Sequence, residues 1–420
     1  MNRSLTNFLV FLLLIVLLQS SVIAQNSLDV LYQNKQYFDL RDELAKHSKG
    51  KSTELLFYRG VIANRFNQNQ KAISLFQQYL QKRDPEKSVE AYEELADSYS
   101  KIGQYQEAAA TYKILFDRFA DKVSAEKISD YKNSYELWNA LKSILPQKVL
   151  ISRDVKLQGK RDKADLLNLA VGINGQPMDL VFDTGANLSV ITASTAKKLG
   201  LKIIESSVSV GSSTDVNVNS KLAVADINLG DAIIKHSVFL VVEDKSMYFP
   251  QIDYQIHGIL GFPVIEALGN FSITRKDEFF VSSKQVNYKA EQNLCLDGLL
   301  PLVTGVYKDR RMVFSLDSGA DGSTFYRSFF KADEQNIVKS ARTEKIRLGG
   351  SGGSKDMNAY IFEGLQLNIA NKNVRFKKAA IITEPLNEQS KYLYGNLGQD
   401  LIRQFAKMTM DLRSMRVVFE

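Results

Sequence analysis

The chain has 420 residues, of which 45% are hydrophobic, and its formal net charge is +7. This length predicts two or three domains, and the basic residues lie scattered along the chain, so we expect no nucleic-acid partner. The single cysteine excludes an internal disulfide and a zinc site of several thiolates, and the three histidines are not spaced as ligands, so we predict neither a metal nor a cofactor.

The first residues have the pattern of a secretory signal peptide. Arg3 supplies a positive charge, an unbroken apolar run follows from Phe8 to Leu18, and small side chains precede a cleavage position after Ala24. The run is short for a bilayer span, so we predict a signal peptide over residues 1–24 rather than an uncleaved anchor, and no stable membrane span once it is removed. The absence of a cysteine pair favours an exported protein, periplasmic or secreted, in a Gram-negative bacterium.

Residues 25–145 are predicted to form a helical domain. Apolar residues recur there at intervals of three and four, as on the buried face of a helix. The segment Ala96–Ala108 resembles a tetratricopeptide repeat, and Ala72 lies about one such repeat (roughly 34 residues) before Ala108. The resemblance implies stacked helix pairs. Two roles stay open for them: a groove that binds a protein partner or a peptide, or a spacer or cap for the rest of the chain.

Two similar patterns of strand, turn and strand follow, and each runs into an aspartate. The first copy ends in Met178-Asp-Leu-Val-Phe-Asp-Thr-Gly-Ala186 and the second in Met312-Val-Phe-Ser-Leu-Asp-Ser-Gly-Ala320. Asn174-Gly175 is a strong hairpin signal before the first copy, and a polar turn at Lys308-Asp-Arg310 precedes the second. The second aspartate in the first copy and the single aspartate in the second therefore lie where a predicted strand ends and a loop begins.

Each copy is followed, at a similar distance, by a short motif flanked by glycines. These motifs are Gly258-Ile-Leu-Gly261 and Gly395-Asn-Leu-Gly398, and each leads into a helix-like stretch and a further strand. We therefore predict a duplicated β-rich unit with one short helix in each copy. The two predicted lobes span residues 149–290 and 291–420.

Residues 149–420 resemble a two-lobed aspartic peptidase of the pepsin and retropepsin superfamily. The resemblance rests on the two apolar-Asp-Thr/Ser-Gly-Ala motifs and on the glycine-flanked motifs that follow them. Asn396 departs from the pattern, because Ile or Val is usual there, and we expect this change to affect the core of the second lobe and to leave the carboxylates untouched. The resemblance implies a cleft between two β-barrel-like lobes, with hairpin flaps near Val208–Ser220 and Gly349–Asp356. The predicted fold class is multidomain: an α-helical, tetratricopeptide-like domain followed by an all-β, bilobal aspartic-peptidase fold.

The paired motifs predict an acid–base site made of two carboxyls. Adjacent carboxyls share one proton, because like charges in close contact cannot both ionise. The ionised member deprotonates a water and the protonated member donates to the carbonyl oxygen of a peptide bond, and the sequence leaves open which is which. The glycines are expected to allow a sharp turn, and the hydroxyls to bond across the lobes. The predicted catalytic residues are Asp183 and Asp317, supported by Thr184, Gly185, Ser318 and Gly319.

The sequence therefore predicts an aspartic endopeptidase that hydrolyses polypeptide substrates. The alternative is a non-hydrolytic module of the same fold, which binds a peptide or a partner recruited through the helical repeats. Serine and zinc hydrolysis lack their motifs, Gly-x-Ser-x-Gly and His-Glu-x-x-His. Asp321 is predicted to be a solvated loop residue, the alternative being an acid that faces the pair, and Cys295 is predicted to be a buried, structural side chain.

Overall fold

The computed structural model describes residues 27–47, 52–82, 86–211, 217–284, 291–350 and 353–420. The predicted signal peptide over residues 1–24 lies outside these ranges, and so does the tip of the first predicted flap at residues 212–216. None of the helices in these ranges has both the length and the apolar character that crossing a membrane requires.

The amino-terminal part of the described chain consists of helices that pack against their successive neighbours. One helix start is fixed by the hydroxyl of Ser52, which accepts a hydrogen bond from the Leu55 N–H. Edge-to-face and tilted contacts of Phe57 with Phe76 and Tyr79 fill the core between helices. The helices are α1 (Tyr37–Lys46), α2 (Thr53–Arg65), α3 (Asn69–Leu80), α4 (Ser88–Lys101), α5 (Tyr105–Arg118) and α6 (Ala125–Ala140), and residues 27–33 are also helical. The predicted helical region is confirmed, whereas its assignment to tetratricopeptide repeats stays a prediction.

The chain turns to β-strands at Lys148 and keeps this character to its end. The strands are β1 (Lys148–Ile151), β2 (Val155–Gln158), β3 (Lys160–Arg161), β4 (Leu167–Ile173), β5 (Gln176–Phe182), β6 (Ser189–Thr192), β7 (Ile203–Gly211), β8 (Asn217–Leu229), β9 (Ala232–Val242), β10 (Tyr248–Phe249), β11 (Tyr254–Gln255), β12 (Gly258–Leu260), β13 (Asn270–Thr274), β14 (Glu278–Val281), β15 (Leu294–Asp297), β16 (Leu300–Tyr307), β17 (Arg310–Leu316), β18 (Thr324–Phe325), β19 (Arg342–Gly350), β20 (Gly353–Ile369), β21 (Lys372–Ile382), β22 (Gly395–Leu397), β23 (Lys407–Asp411) and β24 (Arg416–Phe419). Short helices lie between them: α7 (Ala193–Lys198), α8 (Phe262–Leu268), α9 (Arg327–Ala332), α10 (Glu334–Ser340) and α11 (Gln399–Ile402).

The two predicted lobes repeat one strand order, which confirms the internal duplication. Hydrogen-bonded neighbours run β9-β6-β12-β5-β4-β8-β7 in the first and β21-β18-β22-β17-β16-β20-β19 in the second. In each, the strand that ends just before the aspartate of the motif pairs in parallel with the strand of the glycine-flanked motif, β5 with β12 and β17 with β22. Two distant stretches of sequence are thereby placed side by side beneath each aspartate.

Two-residue turns set the register of the hairpins that carry the aspartates. Asn174 and Gly175 join β4 to β5 with φ angles of 49° and 75°, as the Asn-Gly signal predicts. Lys308 and Asp309 join β16 to β17 with φ angles of 46° and 61°. Arg310, predicted to be part of that turn, instead begins β17. Side chains alternate between the two faces of a sheet, so the register that these turns fix determines the face on which each side chain of β5 and β17 lies.

A further sheet joins strands from both predicted lobes, in the order β2-β14-β13-β23-β24. Beneath it, Phe182 makes edge-to-face contacts with Phe271 and Phe279, and all three rings are buried. The expectation of one short helix in each lobe is wrong, because α7 in the first lobe and α9 and α10 in the second are additional. Helices of six or seven residues span less than two turns, which is too short for a visible helical period.

A buried ion cluster around Asp297 of β15 attaches the helical region to the β-rich part. The Asp297 carboxylate accepts hydrogen bonds from Lys35 at 2.9 Å, Tyr37 at 3.0 Å and Tyr392 at 2.8 Å, and the guanidinium of Arg65 lies 3.6 Å away. Burial by itself would raise the pKa of Asp297, but Arg65 and Lys35 outweigh burial and hold this pKa well below its usual range. The cluster therefore depends on charges from both regions.

Other contacts connect the helices to the first lobe. Asn133 of α6 donates to the Ser209 carbonyl at 2.7 Å and accepts from the Ser209 N–H at 2.8 Å. Ser209 belongs to β7, the strand that leads into the first predicted flap. Asn67, between α2 and α3, donates to the Glu266 carboxyl of α8 at 3.0 Å. The helical region thus contacts both predicted lobes.

Candidate active site

Asp183 and Asp317 occupy equivalent places in the two lobes. Each follows the last residue of its strand, β5 or β17. The Asp183 N–H donates to the Leu260 carbonyl at 3.2 Å, and the Asp317 N–H donates to the Leu397 carbonyl at 2.9 Å. The parallel partner strand therefore fixes the backbone on which each carboxyl is carried.

The structure brings these two carboxyls together, with a glycine of each motif against the aspartate of the other. A Cβ atom added to Gly185 would lie 2.6 Å from the Asp317 Cγ, and one added to Gly319 would overlap the Asp183 carboxyl. Each glycine also donates its N–H to the aspartate two residues before it, at 2.8 Å in both motifs. Neither glycine has a left-handed φ. Glycine is required here for close approach rather than for the sharp turn that we expected from the sequence.

Thr184 and Ser318 form a reciprocal set of hydrogen bonds between the lobes. The Thr184 hydroxyl donates to the Leu316 carbonyl at 2.8 Å and accepts from the Ser318 N–H at 2.9 Å. The Ser318 hydroxyl donates to the Phe182 carbonyl at 2.9 Å and accepts from the Thr184 N–H at 3.1 Å. Both side chains are buried, so each bond is shielded from competing water. The set holds the two strand ends at a fixed separation.

The pair favours a neutral Asp183. Burial, followed by the charge of Asp317, raises the pKa of Asp183 well above its usual value, and the N–H groups of Gly185 and Ala186 oppose the shift. The pKa of Tyr326 is also raised, first by burial and then by the charge of Asp317. One proton shared by two carboxyls is the state that general acid–base catalysis at such a pair requires.

The layer beneath the carboxyls differs between the lobes. In the first lobe Val181 pairs with Ile259, and both side chains are apolar and buried. In the second lobe the same positions hold Ser315 and Asn396, and the Asn396 amide donates to Asp317 Oδ2 at 2.9 Å. The expectation that Asn396 leaves the carboxylates untouched is therefore wrong. The parallel register places Asn396 one residue before Leu397, beside the end of β17, from where its side chain reaches the carboxyl.

Sequence reasoning treated Asn396 as a core substitution and passed over Ser315. The available signal was their joint departure, since both residues are polar where the aligned positions of the first copy hold Val181 and Ile259. Gln399 was also missed: its buried side chain donates to the Ser318 carbonyl at 2.7 Å, from the start of α11. These residues stand out only when the sequence of the second lobe is aligned with that of the first.

The remaining predicted side chains do not face the pair. Asp321 is exposed, so the solvated-loop interpretation holds. Its charge is a smaller cause of two raised pKa values: that of Arg403, which the hydrogen bond to Asp165 raises most, and that of Asp400. For Asp400, burial is the larger cause. Cys295 is buried and free, and burial raises the pKa of its thiol, as suits a structural side chain.

Residues 169–264 match the family described as aspartyl protease. The match includes the motif around Asp183 and the glycine-flanked motif of β12, and it ends before the second lobe. No curated protein matches the chain significantly. With the strand order repeated in both lobes, the chain combines an amino-terminal helical region with a β-rich aspartic-peptidase fold.

Proposed function

We propose that the chain is an aspartic endopeptidase, with Asp183 and Asp317 as its catalytic pair. The observation that carries this proposal is the contact between the two motifs, in which each glycine lies against the carboxyl of the opposite lobe. Carboxyls held so closely cannot both be charged, and the raised pKa of Asp183 agrees with a shared proton. The match of residues 169–264 supports a hydrolase that acts on polypeptides.

The reaction needs no covalent bond to the protein. The ionised carboxylate removes a proton from a water, the water oxygen bonds to the carbonyl carbon, and the neutral carboxyl donates its proton to the carbonyl oxygen. The carboxyl that took the proton from water then transfers it to the amide nitrogen. The C–N bond breaks, and a hydroxyl of the tetrahedral intermediate returns a proton to the other carboxylate, which leaves one new carboxyl end and one new amino end. The bonds of Thr184 and Ser318 hold both carboxyls in reach of one substrate carbonyl.

We also propose that the protein acts after export, in the periplasm or outside the cell. The support is the basic and apolar start of the sequence, Arg3 followed by Phe8–Leu18. The helical region, with its contacts to Asp297 and Ser209, is proposed to be a scaffold for both lobes and a surface for a protein partner.

Cleavage of a diverse peptide library by the protein beginning at Gln25, between about pH 3 and 8, tests the proposed reaction. The variants Asp183→Asn and Asp317→Asn should both lose cleavage. Asp321→Asn is the matched control, because it removes an exposed acid near the site that does not face the pair. Peptide binding with no cleavage by the unchanged protein would contradict the proposal and favour a non-hydrolytic binding module.

A further inference from the structure

We propose that Asn396 is a positioning residue that keeps the negative charge on Asp317 and the shared proton on Asp183. This inference rests on the proposed function and assigns the two roles within it. Asp317 is then the base that deprotonates water, and Asp183 is the acid that protonates the substrate carbonyl. The sequence of the motifs leaves this assignment open, since both present the same groups to the cleft.

The orientation of the Asn396 amide is fixed by Ser315. The Ser315 hydroxyl donates to the amide oxygen of Asn396 at 2.5 Å, and the amide nitrogen then faces Asp317 Oδ2 at 2.9 Å. An amide NH₂ group only donates, and it binds an ionised carboxylate about twice as strongly as a neutral acceptor. Ser315 is buried on β17, whereas Asn396 and Asp317 are half-buried, so the chain of bonds is buried at its Ser315 end.

Among the residues that the structure describes, no side-chain amide donates to Asp183 in the way that Asn396 donates to Asp317. In the first lobe, the equivalent position in the layer below is filled by the buried apolar pair Val181 and Ile259. The glycine contact is duplicated, since Gly185 and Gly319 each donate to their own aspartate at 2.8 Å. Asp183 also receives the Ala186 N–H, which opposes the rise of its pKa. The Asn396 amide is the side-chain donor that distinguishes the surroundings of Asp317, and it favours charge on Asp317.

The direction of the Asp183 shift agrees with this assignment, because burial and the charge of Asp317 both favour its neutral form. The charge of Asp317 also acts on Tyr326, whose hydroxyl stays neutral because burial, and then Asp317, raises its pKa. Its protonation does not change in the range where the pair works, so the two carboxyls and the Asn396 amide decide where the proton lies.

The assignment makes a specific prediction about the pH profile of kcat/KM. The acid limb reports loss of the first proton from the pair, and the alkaline limb reports loss of the second. If Asp317 is the group that ionises first, the Asn396 bond strengthens in that first step and is already present in the second. Removal of the donor should then move the acid limb to higher pH by roughly one unit and leave the alkaline limb in place.

The double variant Ser315→Val/Asn396→Ile tests this, because it installs the pair that the first lobe holds at the same positions. Asn396→Leu is a second variant, in which Ser315 keeps its weaker contact with the Gly395 carbonyl at 3.4 Å. Ser189→Ala is the control, since the Ser189 hydroxyl accepts a buried hydrogen bond from the Gly261 N–H at 3.0 Å and the change removes no bond to a carboxylate. The control should leave the acid limb unmoved.

A shift of the alkaline limb with an unmoved acid limb would overturn the proposal, because it would place the proton on Asp317. Two unmoved limbs would overturn it as well.

A readout without catalysis separates this question from peptidase activity. It is NMR of the full chain labelled with ¹³C-aspartate, with the two Cγ signals assigned through Asp183→Asn and Asp317→Asn. Midway between the two titration steps, Asp317 should show a carboxylate signal and Asp183 a carboxylic-acid signal, even if the protein cleaves no peptide. The reverse pattern would overturn the assignment whether or not the Asn396 variants fold.

Discussion

The hydroxyls of Thr184 and Ser318 each accept a hydrogen bond from the backbone N–H of the other residue, at 2.9 and 3.1 Å. Each hydroxyl also donates to a carbonyl at the end of the opposite strand. Because the exchange is reciprocal, neither lobe can shift at the site without breaking bonds in both motifs. This set of bonds links the fold to the proposed chemistry.

Thr184→Val and Ser318→Ala should each lower both stability and kcat. Either change leaves a buried carbonyl and a buried N–H of the opposite motif without a partner, at a cost of about 1–3 kcal/mol for each unsatisfied group. Thermal unfolding and single-substrate kinetics measure the two effects. Thr184→Ser keeps the hydroxyl and should restore most of kcat, and a Thr184→Val variant with unchanged kcat would show that the bonds do not position the carboxyls.

Gly185→Ala and Gly319→Ala should lower kcat by about 100-fold or more, because a methyl group at either position displaces the opposite carboxyl by a substantial fraction of an ångström. Gly322→Ala is the matched control: a Cβ there meets nothing within 4 Å. Peptide hydrolysis at saturating substrate measures the effect. Equal activity of all three variants would contradict the contact between the motifs.

Asp183→Asn should make the protein more resistant to heat at pH 7 than the unchanged protein, and this advantage should disappear at pH 3. The folded pKa of Asp183 is raised by burial and by Asp317, so between its unfolded and folded pKa values the folded state binds more protons than the unfolded state. Stability therefore falls as pH rises through this window, and the neutral amide removes that loss. Melting temperatures of both proteins across the pH range check it. A stability difference that does not change with pH would contradict the raised pKa.

Asp297→Asn should weaken the attachment of the helical region. The pKa of Asp297 is lowered in the folded state, so its contribution is present above the unfolded pKa and is lost as pH falls through the folded value. Removing one partner of a buried ion cluster costs up to about 3–5 kcal/mol. Lys35 loses the carboxylate that it contacts at 2.9 Å, whereas Arg65 keeps its ion pair with Glu94 at 2.5 Å. Asp231→Asn breaks an exposed pair with Arg153 and should cost at most about 1 kcal/mol. Thermal unfolding at pH 7 compares the two, and equal losses would contradict the role of the cluster.

Much of the fold could be predicted from local sequence. Asn174-Gly175 specified a two-residue hairpin, and the apolar runs before Asp183 and Asp317 specified strands that end at the carboxyls. The repetition of the whole pattern specified the duplication, because each local preference agreed with the same architecture.

The contacts that escaped prediction join residues distant in sequence. Asn396 reaches Asp317 only because β17 and β22 pair in parallel with a particular register. Arg65 and Asp297 meet only when the helices pack on the second lobe. Such contacts depend on tertiary arrangement. Comparison of the two copies marks Ser315 and Asn396 as polar departures, but it does not show which atoms they contact.

The most direct test of the central claim is the rate of peptide-bond cleavage by four proteins: the unchanged protein and its Asp183→Asn, Asp317→Asn and Asp321→Asn variants. General acid–base catalysis by the pair predicts that each of the first two variants loses at least about 100-fold in kcat/KM. The Asp321→Asn variant should match the unchanged protein. Cleavage that survives in either Asp183→Asn or Asp317→Asn would contradict the claim that the two carboxyls act together.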